Sequence, residues 1–258
     1  MSVKAIDYSI CITHYNNKPT VRESLESLLH QVDDRYEIVV VDSKSTDGSL
    51  EMLRDYAREG SIRLVEQRCT RGKGRQIAFE KSHGAIVISN LDMDEVYCDG
   101  LKRLIELYCR QAYDRLLLAI SSTNVGERER QNITIGTRTV LEQLGGWRDV
   151  NYGEDWDLWR RAAEIDKFSV VVFPLVTGID PALDRSIRMI PKLHLRYIRY
   201  VSMIQLGRKV FKKGNRITFA QRSVYLIAKS VALFKPRYNS GQGFDSYDPR
   251  FFIEDSSE

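Results

Sequence analysis

The chain has 258 residues, of which 43% are hydrophobic and 29% charged, and its formal net charge is +4. This suits one large α/β domain with an appendage, or two small domains, and excludes a fold that depends on a structural metal or disulfides. The four cysteines lack zinc-site spacing, and neither a secretory signal nor an 18-residue uncharged apolar run is present, so we expect a cytoplasmic protein that does not span a membrane.

The first 120 residues alternate between strand and helix patterns, as in a parallel sheet wrapped by helices. Strands are predicted at residues 8–13, 36–42, 62–66, 85–91 and 115–120, and helices at 19–31, 47–59, 74–82 and 100–111. Pro19 in the first turn of the first helix and Gly60 after the second agree with these bounds. We therefore predict an α/β fold with a mostly parallel, Rossmann-like sheet flanked by helices.

The pattern is looser after residue 121. We predict a strand at 133–137, a short helix, a helix at 154–164, a strand at 169–173, and only helices beyond Pro191. These elements divide the chain into an α/β domain at 1–184, with halves at about 1–120 and 121–184, and a helical extension with an acidic tail at 185–258.

Polar side chains follow three of the predicted strands. Thr13, His14 and Tyr15 end the first, Asp42 closes the second, and Asp92 and Asp94 come after the fourth. Open parallel sheets bind ligands beyond the carboxyl ends of their strands. The fold and the residue chemistry therefore indicate one shared crevice.

Asp92 and Asp94 form an Asp-x-Asp pair directly after a buried strand. In an extended segment, side chains two residues apart lie on the same side and can share a hard divalent cation such as Mn²⁺ or Mg²⁺. Surface loops contain many such pairs, so the position after the fourth strand is what gives this one weight.

Two further segments suit anionic or nucleoside ligands. A carboxylate at Asp42 can accept a hydrogen bond from a base N–H, although the segment after it also reads as a turn and a helix cap. Residues 71–76 (RGKGRQ) open a helix with three cations, and a helix N-terminus together with arginine suits phosphate. The P-loop spacing is absent, and an ordinary basic turn is the alternative.

Glu154 and Asp155 are adjacent acids at a helix start. The helix dipole stabilises carboxylates there, so a purely structural role is one reading. The other makes one of them a general base that deprotonates a hydroxyl.

Taken together, the segments THYNN, VVVDSKSTDGS, RGKGRQ, NLDMDE and GGWRDVNYGEDWDLWRR stand in the order typical of one family. They resemble family 2 glycosyltransferases of the GT-A fold, whose patterns run like TYN, VVDDxSxDxS, an arginine-rich turn, LDxD and GEDxDL. The resemblance covers about residues 8–175 and implies an inverting, metal-dependent transfer from a nucleotide-sugar, expected to be UDP-linked. Residues 1–120 would bind the nucleotide-sugar, and 121–184 the acceptor.

The resemblance also implies roles for single residues. Asp155 would be the base, assisted by Glu154, while Asp94 would ligate Mn²⁺ or Mg²⁺ together with Asp92. Two departures affect the expected base preference: Ser43 replaces the usual second aspartate, and His14 lies within the T-Y-N signature. The residues expected on the donor side are Thr13, Tyr15, Asp42, Arg71, Arg75 and Asp92, and those on the acceptor side are Trp147 and Trp156.

The charge of the chain is unevenly distributed. Residues 185–237 hold 14 Lys or Arg and no Asp or Glu, which leaves 25 basic against 35 acidic residues elsewhere. Such a block suggests a polyanionic partner, and two apolar-rich segments within it, at 193–211 and 217–234, fit helices lying in a membrane interface. We expect peripheral contact with the anionic inner face of the membrane. A helical cap or a dimer interface is the alternative.

Two other functions remain open at this point. A polyprenyl-phosphate sugar transferase of the same fold would act on a lipid phosphate and would not require the Glu154–Asp155 pair. A nucleic-acid-binding module would use the basic region and would leave the ordered N-terminal motifs unexplained. Binding that does not need Asp92 or Asp94 would favour the latter.

Overall fold

The computed structural model describes residues 6–121, 132–173, 176–179, 192–207, 218–238 and 253. Its strands are β1 (Tyr8–His14), β2 (Tyr36–Asp42), β3 (Arg63–Glu66), β4 (Ile86–Leu91), β5 (Glu95–Tyr97), β6 (Leu116–Ser121), β7 (Asn132–Thr137), β8 (Phe168–Phe173) and β9 (Val176–Ile179). Its helices are α1 (Lys18–Leu29), α2 (Ser49–Arg58), α3 (Arg71–Lys81), α4 (Leu101–Gln111), α5 (Arg138–Gln143), α6 (Glu154–Glu164), α7 (Lys192–Gln205) and α8 (Phe219–Ala232).

Seven strands form one sheet in the order β3-β2-β1-β4-β7-β6-β8. The β3–β2, β2–β1, β1–β4 and β6–β8 pairs are parallel, whereas β7 runs antiparallel to both β4 and β6. The predicted mostly parallel α/β sheet is therefore confirmed. Because β1, β2 and β4 are parallel, the polar residues at their carboxyl ends meet at one edge.

Each face of the sheet has its own apolar layer, because alternate residues of a strand point to opposite faces. Ile10 and Ile12 of β1 pack with α1, α2 and α4, while Cys11 lies on the other face with α3, α5 and α6. Buried strands of this kind read as continuous apolar runs, which is why the VVVD strand was recognisable from sequence.

Two features differ from the sequence prediction. Helix α3 begins at Arg71 rather than at residue 74, because the Thr70 hydroxyl accepts a hydrogen bond from the Lys73 amide at 3.1 Å and caps the helix. Strands β5 and β9 were not predicted. They are three and four residues long and form a separate antiparallel pair, and such short strands carry too little alternation to be recognised.

Helices α7 and α8 confirm the helical reading of the C-terminal extension and pack against each other. The Tyr200 and Tyr225 rings meet edge to face across this contact, with centroids 6.4 Å apart. The two helices overlap the apolar-rich segments at 193–211 and 217–234, and Phe211 together with the predicted domain boundary at 184/185 lies outside the described residues. Within the described part of the chain, no helix is both long enough and apolar enough to cross a bilayer.

Candidate active site

The acidic residues after β4 lie in a turn that follows a β-bulge. Between the pairs Ile10–Ile88 and Ile12–Leu91, β4 has one residue more than β1, and Asn90 takes a positive φ of 64° there. An extra residue of this kind bends a strand and changes the direction of the side chains after it. The sequence prediction of an extended Asp92–Asp94 segment is wrong in this detail.

The turn nevertheless brings three carboxylates together. One oxygen from each of Asp92, Asp94 and Glu95 lies within 4.8 Å of the others. Asp94 and Glu95 are buried, whereas the Asp92 side chain is 38% exposed. Burial, reinforced by the charges of Asp92 and Asp94, raises the pKa of Glu95 well above its usual range. The sequence prediction named the two aspartates and missed Glu95.

Asp42 is fully buried at the end of β2. Its Oδ1 accepts from the Ser45 amide at 2.8 Å, and its Oδ2 lies 2.8 Å from His14 Nδ1 and 2.6 Å from the Ser45 hydroxyl. Burial raises the pKa of Asp42, but the hydrogen bonds from His14 and Ser45 outweigh it and lower the pKa below its usual value. His14, one of the two departures from the family pattern, is therefore in direct contact with Asp42.

Two other predicted donor-side residues also end β1. Thr13 lies beside the first turn of α3, where a Cβ added to Gly74 would be 2.8 Å from its Cγ2. Tyr15, immediately after the strand, is 49% exposed. Both residues stand at the sheet edge that the sequence indicated.

A buried arginine joins the two sides of the crevice. Arg75 Nε lies 3.1 Å from Asp155 Oδ1 and 3.5 Å from Glu154 Oε1, while its Nη2 lies 3.9 Å from Asp92 Oδ1. The half-exposed Arg71 is a second cation, with Nε 3.8 Å from Glu154 Oε1. The structure thus brings three of the predicted carboxylates around Arg75 and a second predicted arginine beside Glu154.

Glu154 and Asp155, the adjacent acids at the start of α6, both have raised pKa values. Burial and then the charge of Asp155 raise the pKa of Glu154 to about 7, although Arg71 and Arg75 act in the opposite direction. Burial also raises the pKa of Asp155, while Arg75 and a hydrogen bond from the Trp147 indole N–H, 3.0 Å long, favour its charged form. A carboxylate with a raised pKa in a crevice is suited to accepting a proton near neutral pH.

The loop before α6 is tied to the start of α3. The Gly72 amide donates to Val150 O at 2.9 Å, the Arg71 amide donates to Asn151 Oδ1 at 3.0 Å, and the Trp147 amide donates to Gln76 Oε1 at 2.9 Å. A Cβ on Gly72 would lie 2.1 Å from Arg148 O, so only glycine permits this approach. These contacts hold the acids of α6 against Arg75.

The carboxylate of Asp157 stabilises this loop through ion pairs, and this residue was not singled out from sequence. Its fully buried carboxylate is paired with Arg148 Nη1 at 3.0 Å, Arg161 Nε at 3.0 Å and Arg160 Nη2 at 3.3 Å. Arg161 also donates to Gly146 O at 2.6 Å. The spacing of Asp157 to arginines three and four residues later on one helix was the available signal.

The three tryptophans occupy different environments. Trp147 is 3% exposed, packs edge to face against Phe79, and reaches the crevice through its indole N–H. Trp156 is 48% exposed on α6, whereas Trp159 is buried and donates to Thr134 Oγ1. The acceptor-side roles of Trp147 and Trp156 stay predictions, and Trp147 could act there only through its indole edge.

Comparison with known proteins connects this geometry to a family. The family described as glycosyl transferase family 2 matches residues 9–163. A poly(ribitol-phosphate) beta-glucosyltransferase of Bacillus spizizenii is 38% identical over 68 residues, which cover 26% of this chain and 11% of that protein. An undecaprenyl-phosphate 4-deoxy-4-formamido-L-arabinose transferase of Aeromonas hydrophila is 32% identical over 114 residues, or 41% of this chain and 34% of that protein. The chain thus matches about a third or less of the length of these curated relatives.

Solved structures show the same fold. S. aureus TarS in complex with UDP superposes with a TM-score of 0.58 at 16% identity, covering 86% of this chain and 78% of that one. The mannosyltransferase PcManGT of Pyrobaculum calidifontis, in complex with GDP-Man and Mn²⁺, gives a TM-score of 0.57 at 18% identity, with coverage of 90% and 71%. These findings give no support to a nucleic-acid-binding module.

The matched segment includes the strand ends, Arg75, the acidic turn and the Glu154–Asp155 pair, which are the groups that the structure gathers around one crevice. The chain belongs to glycosyltransferase family 2 and has the GT-A fold.

Proposed function

We propose that the chain transfers a sugar, with inversion, from a UDP-linked donor to a hydroxyl of a membrane-associated glycan or lipid-linked sugar. The observation that supports this most strongly is the placement of Asp155. It lies in the crevice at the start of α6, where its carboxylate accepts a hydrogen bond from Trp147 and forms an ion pair with Arg75, which also lies 3.9 Å from Asp92.

The reaction is a single in-line displacement. Asp155 accepts the proton of the acceptor hydroxyl as that oxygen attacks the anomeric carbon. The bond from the anomeric carbon to the diphosphate oxygen breaks, and its electron pair leaves with the nucleoside diphosphate. Glu154 assists at the acceptor, and the hydrogen bond from Trp147 holds the carboxylate in place.

The acidic turn fits a divalent cation. Asp92, Asp94 and Glu95 offer oxygen ligands within 4.8 Å of one another, and carboxylate oxygens are the ligands that Mg²⁺ and Mn²⁺ prefer. When bound, such a cation offsets the negative charge of the departing diphosphate. The manganese complex of PcManGT, a protein of the same fold, agrees with this assignment.

The donor nucleoside is assigned to the ends of β1 and β2. Thr13, Tyr15 and Asp42 would contact the base and ribose, and Arg71 the diphosphate. Asp42 Oδ2 accepts two hydrogen bonds and Oδ1 accepts one, from the Ser45 amide, so Oδ1 retains one acceptor position for a base N–H. The TarS complex with UDP is the reason to prefer a uridine nucleotide.

A donor-hydrolysis screen tests the proposal. UDP-, GDP- and dTDP-sugars are incubated with the protein and Mn²⁺ or Mg²⁺, and release of the nucleoside diphosphate is measured. We expect turnover of a UDP-sugar only when the cation is present. Turnover of GDP- or dTDP-sugars alone would overturn the uridine assignment, and full turnover in excess chelator would overturn the metal dependence.

A second candidate is a polyprenyl-phosphate sugar transferase, favoured by the similarity to undecaprenyl-phosphate transferases of Aeromonas hydrophila and Pseudomonas syringae. A phosphate acceptor is already ionised and needs no general base. The paired acids Glu154 and Asp155 therefore favour a hydroxyl acceptor. An Asp155→Asn variant that transfers sugar at the unchanged rate would reverse this preference.

We also propose that the protein works as a peripheral enzyme at the cytoplasmic face of a membrane, where a lipid-linked acceptor would be presented. The block of 14 cations without an acid between residues 185 and 237 supports contact with anionic lipid.

A further inference from the structure

Helix α8 and the turn after it expose large apolar side chains on the side away from the protein. Phe219, Leu226 and Leu233 are 86%, 62% and 76% exposed and follow one another at intervals of seven, so they lie in one direction along the helix. Ile227 and Phe234, which are 57% and 88% exposed, flank them. This exposed set is called the α8 outer face below.

The outer face is not the side that packs on the protein. Val224, Ala228 and Ala232 are buried at 5%, 0% and 6% exposure, and they occupy the opposite side of α8, which packs with α7. A helix that is apolar on both sides has a second surface to bury. Among the described residues, none covers the outer face, whose apolar side chains stay 57–88% exposed.

Among the described residues of α8 and the turn after it, the charged side chains that border the outer face are all positive. Arg222 and Lys229 are seven residues apart and border the Leu226–Leu233 side, and Lys235 and Arg237 follow the helix. An apolar face bordered by exposed cations, with no acidic residue from 185 to 237, matches an anionic lipid surface better than it matches another copy of an equally basic helix.

We propose that the α8 outer face inserts into the interface of an anionic bilayer, with Arg222 and Lys229 at the level of the lipid phosphates. The 14 residues of α8 extend about 21 Å, less than the roughly 30 Å of a hydrocarbon core, so the helix lies parallel to the surface. The biological purpose of this docking, delivery of a lipid-linked acceptor, rests on the proposed function.

Helix α8 is connected, through α7, to the loop that precedes α6 on the proposed acceptor side of the crevice. Its partner helix α7 accepts a hydrogen bond at Ser202 Oγ from the Asn151 amide, 3.1 Å long, and Asn151 Oδ1 in turn accepts from the Arg71 amide. After α8, the Tyr238 amide donates to Gln205 O at 2.7 Å, and its ring lies under the guanidinium of Arg148 at 5.2 Å. The paired helices α7 and α8 and the loop that precedes Glu154 thus form one packed unit.

Vesicle flotation tests the assignment with the full chain. Wild type is compared on phosphatidylcholine vesicles with and without phosphatidylglycerol, at low and high salt. One variant combines Leu226→Ser with Phe234→Ser, and a second combines Arg222→Gln with Lys229→Gln. A matched control combines Ile165→Ser with Val172→Ser, which are exposed apolar residues at the C-terminal cap of α6 and in β8, outside α7 and α8.

We expect binding only to the anionic vesicles. The serine pair in α8 should weaken it about tenfold or more, and the glutamine pair about fivefold for each charge removed, with a flatter salt dependence. The control should bind like wild type. Wild-type protein that ignores anionic vesicles, or an unchanged affinity in the serine pair, overturns the proposal. So does a dimer that the serine pair dissociates without a change in vesicle binding.

Donor hydrolysis measured without vesicles separates this inference from the proposed function. It should be equal in wild type and in both α8 variants, because the outer face does not touch the crevice residues. If the protein binds vesicles in the expected pattern but does not hydrolyse the donor, the docking proposal holds and the proposed reaction is overturned. If the protein hydrolyses the donor but does not bind vesicles, the proposed reaction holds and the docking proposal is overturned.

Discussion

Arg75 Nε lies 3.1 Å from Asp155 Oδ1, inside a crevice in which the guanidinium is only 3% exposed. The same guanidinium approaches Asp92, on the side of the crevice proposed for the donor, at 3.9 Å. Arg75 therefore contacts carboxylates on both sides of the crevice. Because its charge lowers the pKa of Asp155, a ligand that moves Arg75 would change that pKa. A diphosphate that attracted Arg75 would leave Asp155 a stronger base.

Removal of the Arg75 charge is therefore expected to change the pH dependence of transfer, not only its rate. In Arg75→Gln, Asp155 loses the cation that lowers its pKa, so that pKa rises and the ascending limb of the pH–rate profile moves to higher pH. Arg75→Lys should restore much of the profile. Arg71→Gln, at the half-exposed neighbouring cation, is the matched control and should shift the limb less. An unshifted limb in Arg75→Gln would show that the ion pair does not tune the base.

Asp155→Asn keeps the shape of the side chain but cannot accept a proton. Transfer to a hydroxyl should fall by about 10²–10⁴-fold, while the affinity for the donor changes little. Rate and donor affinity are measured separately, by single-turnover transfer and by titration of the nucleoside diphosphate. A comparable loss of donor affinity would instead make Asp155 a structural residue.

Asp94→Ala removes one of the three carboxylates in the turn after β4. We expect it to abolish cation-dependent turnover and to weaken Mn²⁺ binding measured by calorimetry, while the protein stays folded. Glu95→Gln, which keeps the size of the side chain, tests the ligand that the structure adds to the sequence prediction. Full activity of Asp94→Ala would remove the metal site from this turn.

Much of this site could be predicted from sequence because its residues stand at the ends of strong local patterns. The run VVVD and the helix after Gly153 were recognised at their true bounds, and so Asp42 and Asp155 were placed correctly. The prediction could not show that Arg75 joins Asp155 to Asp92, since those residues come from three separate elements. Nor could it show the bulge at Asn90, which depends on the pairing of β4 with β1.

Some residues were missed because their role comes from tertiary contacts alone. Asp157 looked like one more acid in a helix start, yet its carboxylate is fully buried among three arginines. Gly72 looked like a flexible residue in a basic turn, whereas its function is to let two backbone segments approach.

Glu154 should make the stability of the protein fall as the pH rises. Its pKa is raised from the usual 4.5 to about 7, so between these values the folded protein holds a proton that the unfolded chain has released. Its favourable contribution is therefore complete below about pH 4.5 and is lost as the pH passes 7. Relative to Glu154→Gln, the free energy of unfolding of wild type should decline between pH 5 and 8. Urea unfolding at intervals of one pH unit measures this, and an unchanged stability of wild type relative to Glu154→Gln across this range would contradict it.

Gly72→Ala tests whether the contact between α3 and the loop before α6 assembles the site. The added Cβ would lie 2.1 Å from Arg148 O and 2.9 Å from Val150 O, and both are backbone atoms that cannot rotate away. The loop must therefore retreat, which breaks the 2.9 Å hydrogen bond from the Gly72 amide to Val150 O and draws Trp147 and Asp155 away from Arg75. We expect a loss of about 1–3 kcal/mol in the free energy of unfolding and a larger proportional loss of transfer than of stability.

The control for Gly72→Ala is Gly60→Ala, where a Cβ meets nothing within 4 Å but the φ of 78° is unfavourable for alanine. That variant should lose about 1–2 kcal/mol of stability and keep its transfer rate, because Gly60 follows α2 far from the crevice. Both proteins are assayed at a temperature at which unfolding curves show them folded. If Gly72→Ala transfers sugar as fast as Gly60→Ala under those conditions, the close approach of the two segments does not position the catalytic acids.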